Sequence, residues 1–428
     1  MRGEIWEQRS RPGQGRHRAG AGLGARFYSL WFGQSVSQFG DYIAYFTIPA
    51  FVRYVITSQP SDFGLVFAAE SLPTLLVGVF AGVWLDRFRL RPILITADLI
   101  RAGAFIALAR VASGAAPGLL SVLAISFLVG TFAATFTNAL FSFLPVIVKP
   151  DQLGVANARV ALTQQVAFIV GPALGGLIVG YWDYTTAFTI NAFTFIVSAI
   201  SIVFVGPARR EARAESVGYW NEARAGFSFL WQNRYLRLLT ASGAVSNFVV
   251  GFLEAILVLI GADIFGILDT QELSLLYVAS GIGGVLGALT VGTMSRVIGK
   301  GRTLTTGMLL FGGGFSVLTL MPSRTPVLIV LALTLMGLSW INIPLITMRQ
   351  LHTPDQLLGR VTSASRAIMW STLPLGSLIG TWMADRVGIE AVARIEPLLI
   401  VGFGLYLMST PIWSDGRDHD PAHAAASD

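Results

Sequence analysis

Pro150-Asp151-Gln152-Leu153 recurs as Pro354-Asp355-Gln356-Leu357, 204 positions further on, and each copy follows a long apolar run. At the same offset Asn138 falls on Asn342. A second set of matches lies at an offset of 209, where Asp86-Arg87 meets Ser295-Arg296 and Arg91 meets Lys300. Several matches at nearly one offset, all in equivalent places between apolar runs, predict a chain made of two copies of one unit.

Composition sets the surroundings of those units. Of 428 residues, 54% are hydrophobic and 13% charged, with a mean hydropathy of +0.65. A soluble domain carries about 25% charged residues, so there is too little polar surface here to coat a water-exposed globule. A disordered chain, a collagen, a disulfide scaffold and an ordinary soluble enzyme are excluded. The lack of cysteine also removes thiolate chemistry, iron–sulfur clusters and cysteine zinc sites.

Apolar stretches long enough to cross the roughly 30 Å hydrocarbon layer lie near 27–52, 63–85, 92–112, 119–148, 157–180, 185–206, 236–262, 273–295, 303–321, 326–348, 361–384 and 395–413. Backbone groups in lipid must be satisfied within their own segment, and runs this long do not suit barrel strands. The expected fold class is an all-α membrane protein, with twelve transmembrane helices in two pseudo-symmetric six-helix bundles.

The cations orient it. Of the 30 basic residues 28 are Arg, and 23 of the 30 fall on the side of the N-terminal segment, against five in the opposite connections. Both termini are therefore expected in the cytoplasm, and the net charge of +6 is a topology signal, with no nucleic-acid partner. The expected organisation is a basic disordered cytoplasmic tail over 1–26, a six-helix bundle over 27–206, a cytoplasmic amphipathic linker over 207–235, a second bundle over 236–413 and a cytoplasmic tail over 414–428. Residues 1–26 lack the apolar core of a signal peptide.

Gly82-Val-Trp-Leu-Asp86-Arg87-Phe-Arg89-Leu-Arg91 resembles the loop signature between the second and third helices of the major facilitator superfamily, with Arg89 and Leu90 departing from its usual Gly and first basic residue. Gly171-Pro172-Ala-Leu-Gly175-Gly176 is similar to the superfamily's antiporter signature, although Ala167 stands where a Gly is common. Leu30-Trp31-Phe-Gly33-Gln34, Ser37, Gly40-Asp41, Asp98-Leu-Ile-Arg101 and Asn191-Ala-Phe-Thr-Phe195 resemble the branch of macrolide-efflux proteins and the enterobactin exporter. The resemblance covers about 27–413. It implies a secondary transporter that exports an amphiphilic drug, antibiotic or siderophore across the plasma membrane by proton antiport, as a monomer without cofactors. A lipid or lysophospholipid translocator of the same fold is the alternative, and a membrane-embedded enzyme a third.

Among the residues themselves, Gln34, Gln38, Asp41 and Tyr45 are spaced to share one helix face. A carboxylate there must meet a cavity or a partner, and ionisable groups inside membranes are functional by default. Asp41 is thus the leading proton-coupling candidate, against a structural carboxylate held by a neighbouring helix. Glu254, with Asn247 and Gly251 on its face, is the second, and the two could address one central cavity. Glu70 reads equally as a gate or as an interfacial carboxylate.

Asn138, Gln164 and Asn342 read equally as cavity lining or helix-to-helix bonds. Arg366 reads as half of an ion pair, or less readily as an attractor of anionic substrate. Asp98 and Arg101, with Asp86 and Arg91, suggest a charge network that latches neighbouring helices in one state. The four His lie in tails or a loop, so no histidine relay or intramembrane metal site is expected. No Gly-x-x-x-x-Gly-Lys-Ser/Thr run is present for nucleotide phosphates.

Overall fold

The structure is a computed structural model that describes residues 23–85, 88–114, 118–206 and 219–415. The described residues form helices and no strands. Six long helices, α1 Ala25–Phe51, α2 Pro60–Leu85, α3 Leu90–Ala112, α4 Leu119–Ile147, α5 Leu153–Tyr181 and α6 Tyr184–Val205, make the first half. A shorter α7, Tyr219–Gln232, precedes the second half, which holds α8 Arg234–Leu259, α9 Thr270–Ile298, α10 Lys300–Leu318, α11 Arg324–Leu351, α12 Asp355–Val387, α13 Ile389–Ile395, α14 Leu398–Leu407 and the one-turn α15 Pro411–Ser414.

Local chemistry sets many of these boundaries. The Asp183, Asn233 and Asp269 side chains accept hydrogen bonds from the first free backbone N–H groups of α6, α8 and α9. Gly206, Gly299 and Gly388 end α6, α9 and α12 at positive φ, where a side chain would be strained. Seven helices, α3, α4, α5, α6, α8, α9 and α11, are by themselves long and apolar enough to cross a membrane. Large apolar side chains such as Leu120, Phe204 and Leu289 project from the bundle, as a lipid-facing surface requires.

The twelfth span differs from the continuous helix expected over 395–413. It runs through α13 and α14, which are joined at Glu396 and Pro397 in right-handed helical conformation. The Pro397 ring has no N–H to offer the ladder, so the helix breaks there. A second break precedes Pro411. Of the expected linker over 207–235, residues 207–218 lie outside the described residues, and so do most of the two tails, 1–22 and 416–428.

The two halves repeat one packing plan. Helix α1 packs on α5, as α8 packs on α12; α2 packs on α4 as α9 does on α11, and α3 on α6 as α10 does on α14. The halves meet where α2 lies on α12 and α5 on α9, a pair of contacts that the same pseudo-two-fold axis exchanges. At the end of the bundle away from the termini the two are stitched together. The Tyr54 hydroxyl donates to the Ile267 carbonyl at 2.9 Å, the Ser377 hydroxyl to the Gly64 carbonyl at 3.3 Å and the Ser61 N–H to Asp385 at 3.3 Å. Arg53 pairs with Asp263 at the same end.

Candidate site on the pseudo-two-fold axis

Helices α1 and α8 open the two halves, and each ends in a wider π-helical turn, Val52–Ile56 and Ile260–Ile264. Such turns insert a residue into the ladder and often mark functional positions. The two helices bring two pairs of side chains together across the axis, one within the helices and one within these turns. The Tyr45 hydroxyl donates to Glu254 Oε2, and the Arg53 guanidinium meets Asp263. Tyr45 and Glu254 stand 209 residues apart, the repeat offset, and Arg53 and Asp263 stand 210 apart. Residues related by a two-fold axis can touch only beside it, so both pairs mark where the axis runs.

Around the inner pair lies a cavity of about 230 Å³. Tyr45, Phe63, Phe67 and Tyr277 give it aromatic walls, and Glu70 and Glu254 are its two charged residues. Among the described residues no Lys, Arg or His lines it. Tyr277 packs edge-on against Tyr45 at 5.3 Å and Phe46 at 5.4 Å, and its buried hydroxyl has no hydrogen-bond partner. The Ser71 hydroxyl, also on the wall, is similarly unpaired. Unsatisfied buried hydroxyls beside a carboxylate are costly to keep and are groups a ligand could engage.

Asp41, one turn before Tyr45 on α1, does not line this cavity. It accepts from Arg101 of α3, whose guanidinium also lies 3.7 Å from Asp98 and stacks 4.0 Å from the centre of the Phe195 ring. Arg101 is 3% exposed and Asp98 fully buried, whereas a third of the Asp41 side chain is open. Two carboxylates thus share one cation, and both Asp98 oxygens lack a hydrogen bond. The expected pairing of Asp98 with Arg101 is present, and Arg101 also holds Asp41. Of the two carboxylates that could address one cavity, Glu254 lines this one and meets Tyr45, whereas Asp41 is held by Arg101 off its wall.

The other candidates take varied places. Arg91 donates to the Ile202 and Val203 carbonyls at 3.2 and 2.7 Å, satisfying the free end of α6, and forms no ion pair among the described residues. Gly82 belongs to α2, while Asp86 and Arg87 lie outside the described residues. Asn247 donates to the Met369 carbonyl of α12 at 2.8 Å, and Asn138 to the Ala134 carbonyl of its own helix at 2.8 Å. Gln164 is exposed, 3.4 Å from the Tyr42 hydroxyl. The side-chain oxygens of Gln34 and Gln38 are buried without a partner. Asn342 is half-buried on α11. Arg366 is exposed and forms no ion pair among the described residues, contrary to the pairing expected of it.

The small residues of the signatures let helices approach. A Cβ on Gly171 would lie 2.4 Å from Tyr42 Cβ on α1, and one on Gly176 would lie 2.5 Å from Ser274 Oγ on α9 in the other half. Gly175 sits against Ile43 and Thr47, and Pro172 is buried within α5. Gly33 and Gly40 likewise admit Ser201 and Asn191 of α6 against α1. Tyr45 was within reach of sequence reasoning, since it is the offset-209 partner of Glu254. Tyr277 carried no sequence signal that would have singled it out.

The family model described as Major Facilitator Superfamily matches residues 30–371. The chain belongs to the Major Facilitator Superfamily. Within it, the chain is 26% identical over 383 residues to macrolide efflux protein A of Streptococcus pyogenes, covering 88% of this chain and 93% of that protein. It is 27% identical over 372 residues to the multidrug efflux pump Tap of Mycolicibacterium fortuitum, covering 83% and 90%. Among solved structures, a bacterial homologue of the human lysosomal transporter Spinster, inward-facing and unoccupied, matches with a TM-score of 0.71 at 13% identity over 94% of this chain and all of that one. A bacterial homologue of the iron transporter ferroportin in an inward-facing state gives 0.70 at 15% over 90% and 99%. The expected superfamily and twelve-helix architecture hold, and the chain is a multi-pass membrane protein of a transporter superfamily.

Proposed function

We propose that this chain exports an amphiphilic small molecule across the plasma membrane by alternating access, in exchange for protons, with both termini in the cytoplasm. The observation that carries the reading is the axial cavity, whose aromatic walls hold Glu70 and Glu254 with no Lys, Arg or His among the described lining residues. Relatives named for macrolide and multidrug efflux support the direction and the substrate class. The halves are stitched at the end away from the termini, so we read the state as open to the cytoplasm, as in the two inward-facing structures it resembles.

In this reading Glu254 is the coupling carboxylate. A proton taken from outside neutralises it, weakens its bond to Tyr45 and lets the halves reorient; release inside restores the anion. Each proton moving inward releases about 2.3 kcal/mol per 100 mV. An anionic, aromatic cavity favours amphiphiles bearing a cationic group, which would compete with the proton for the same carboxylates. The single chain carries both halves, so the monomer is the working unit in this scheme. Everted membrane vesicles energised to an acidic interior test it. Addition of a cationic amphiphile such as a macrolide should release protons with the wild-type chain, and transport that persists unchanged without a proton gradient would favour the lipid-translocator reading instead.

A further inference from the structure

Helix α7 lies outside the axial site and presents two dissimilar faces. Its inner face is seated on the second half: Leu230 is 1% exposed, and Gly226 approaches so closely that a Cβ there would lie 2.4 Å from the Arg360 carbonyl oxygen of α12. Its outer face shows Phe227 and Trp231, 47% and 59% exposed, with rings parallel at a centroid distance of 5.9 Å. Two large aromatics stacked in the open have no protein group to cover them among the described residues.

Arginines border this face. Arg224, Arg234 and Arg237 are all exposed, and Arg237 donates to the Trp231 carbonyl at 2.5 Å and lies 6.0 Å from that ring's centre. The stretch 224–237 contains no Asp or Glu. Asn233 alone separates α7 from the spanning helix α8, which fixes the depth of the patch at the membrane–water boundary. Apolar rings that enter the headgroup layer and guanidinium groups that meet phosphates are the chemistry of an interfacial helix on an anionic bilayer.

We propose that Phe227, Trp231, Arg224, Arg234 and Arg237 dock α7 onto an anionic lipid surface, anchoring the second half at the terminal end of the bundle. The occupant is the bilayer the protein already crosses, because charge complementarity and the one-residue junction to α8 both place phosphate headgroups beside the patch. The inference is independent of substrate and coupling ion.

The cysteine-free chain allows a direct test on the full-length protein. Ser228→Cys carrying an environment-sensitive fluorophore is reconstituted in nanodiscs of phosphatidylcholine alone or of phosphatidylcholine with phosphatidylglycerol. The emission should shift to the blue with phosphatidylglycerol, and about 0.5 M salt should reverse it by shortening the screening length to a few ångströms. Neutralising each arginine should weaken the lipid response about fivefold, so R224Q/R234Q/R237Q should lose it while keeping its unfolding temperature in phosphatidylcholine. Equal emission in the two lipids, or a response that salt and the triple variant leave intact, overturns the proposal. If the triple variant does not fold, the salt reversal and Arg234→Gln alone decide it.

Discussion

Glu254 and Asp41 are both carboxylates on the first helix of a half, yet their neighbours give them different work. Asp41 is matched by Arg101, whereas among the described residues Glu254 has the neutral donor Tyr45 and no ion pair. Glu254→Gln is therefore expected to abolish substrate-induced proton release in everted vesicles. Asp41→Asn should slow transport and retain coupling, and full loss in Asp41→Asn with none in Glu254→Gln would reverse the assignment. Arg101→Ala leaves Asp98 buried without its cation and should destabilise the chain by about 3–5 kcal/mol, read as a lowered unfolding temperature in detergent. Removing Asp98 in the same chain should recover part of that loss.

The residues of this site were partly legible beforehand. The cost of a carboxylate inside an apolar run singled out Asp41 and Glu254, and the i, i+3 spacing paired Asp98 with Arg101. That Arg101 also reaches Asp41 depends on how α3 and α1 both pack on α6, which no local spacing encodes. Arg91 shows the converse: its place in a loop signature suggested a charge relay, and nothing in that signature said that its guanidinium also meets the carbonyls at the end of α6.

At the level of elements, glycine positions were informative because they stand for distance. Gly171 and Gly175 let α5 approach α1, and Gly376 and Gly380 let α12 approach Phe248 and Phe252 of α8. Gly176 instead faces the other half, against Ser274 and the Thr270 carbonyl. A larger residue there must push α5 away from α9, so Gly176→Leu should open the end opposite the termini, measured as increased labelling of a single cysteine placed at Ser274. Helix α12, at 33 residues, is about 50 Å long and outreaches the hydrocarbon layer. Its extra turns give α7 its seat at Arg360. The break at Pro397 was written in the sequence, but an apolar run alone does not say whether a proline bends a helix or ends it.

For the whole molecule, the sequence conveyed the number of spans and their duplication, because lipid imposes length and composition on each helix. Which ends of the two halves touch was not legible, since either arrangement buries the same apolar faces. The stitched end offers a handle. Gly64→Cys with Thr381→Cys brings together positions whose Cβ atoms would stand 3.1 Å apart, slightly inside the usual disulfide range and within reach of a small shift. Oxidation of that pair should arrest transport, and a reducing agent should restore it. Transport that continues through a complete cross-link would mean that the halves do not separate at this end.

The pairs on the axis also bear on how such a chain could arise. In a symmetric homodimer of one six-helix unit, every residue beside the two-fold axis faces its own copy, so a carboxylate would oppose a carboxylate and a guanidinium a guanidinium. Here Tyr45 meets its own equivalent, Glu254, and Arg53 meets Asp263, one position beyond its equivalent, donor against acceptor and cation against anion. Such heterotypic contacts are open only to halves encoded separately. Fusion into a single polypeptide thus frees the central seam from self-complementarity, and in the proposed antiport it is the seam carboxylate without an arginine partner, Glu254, that would exchange the proton.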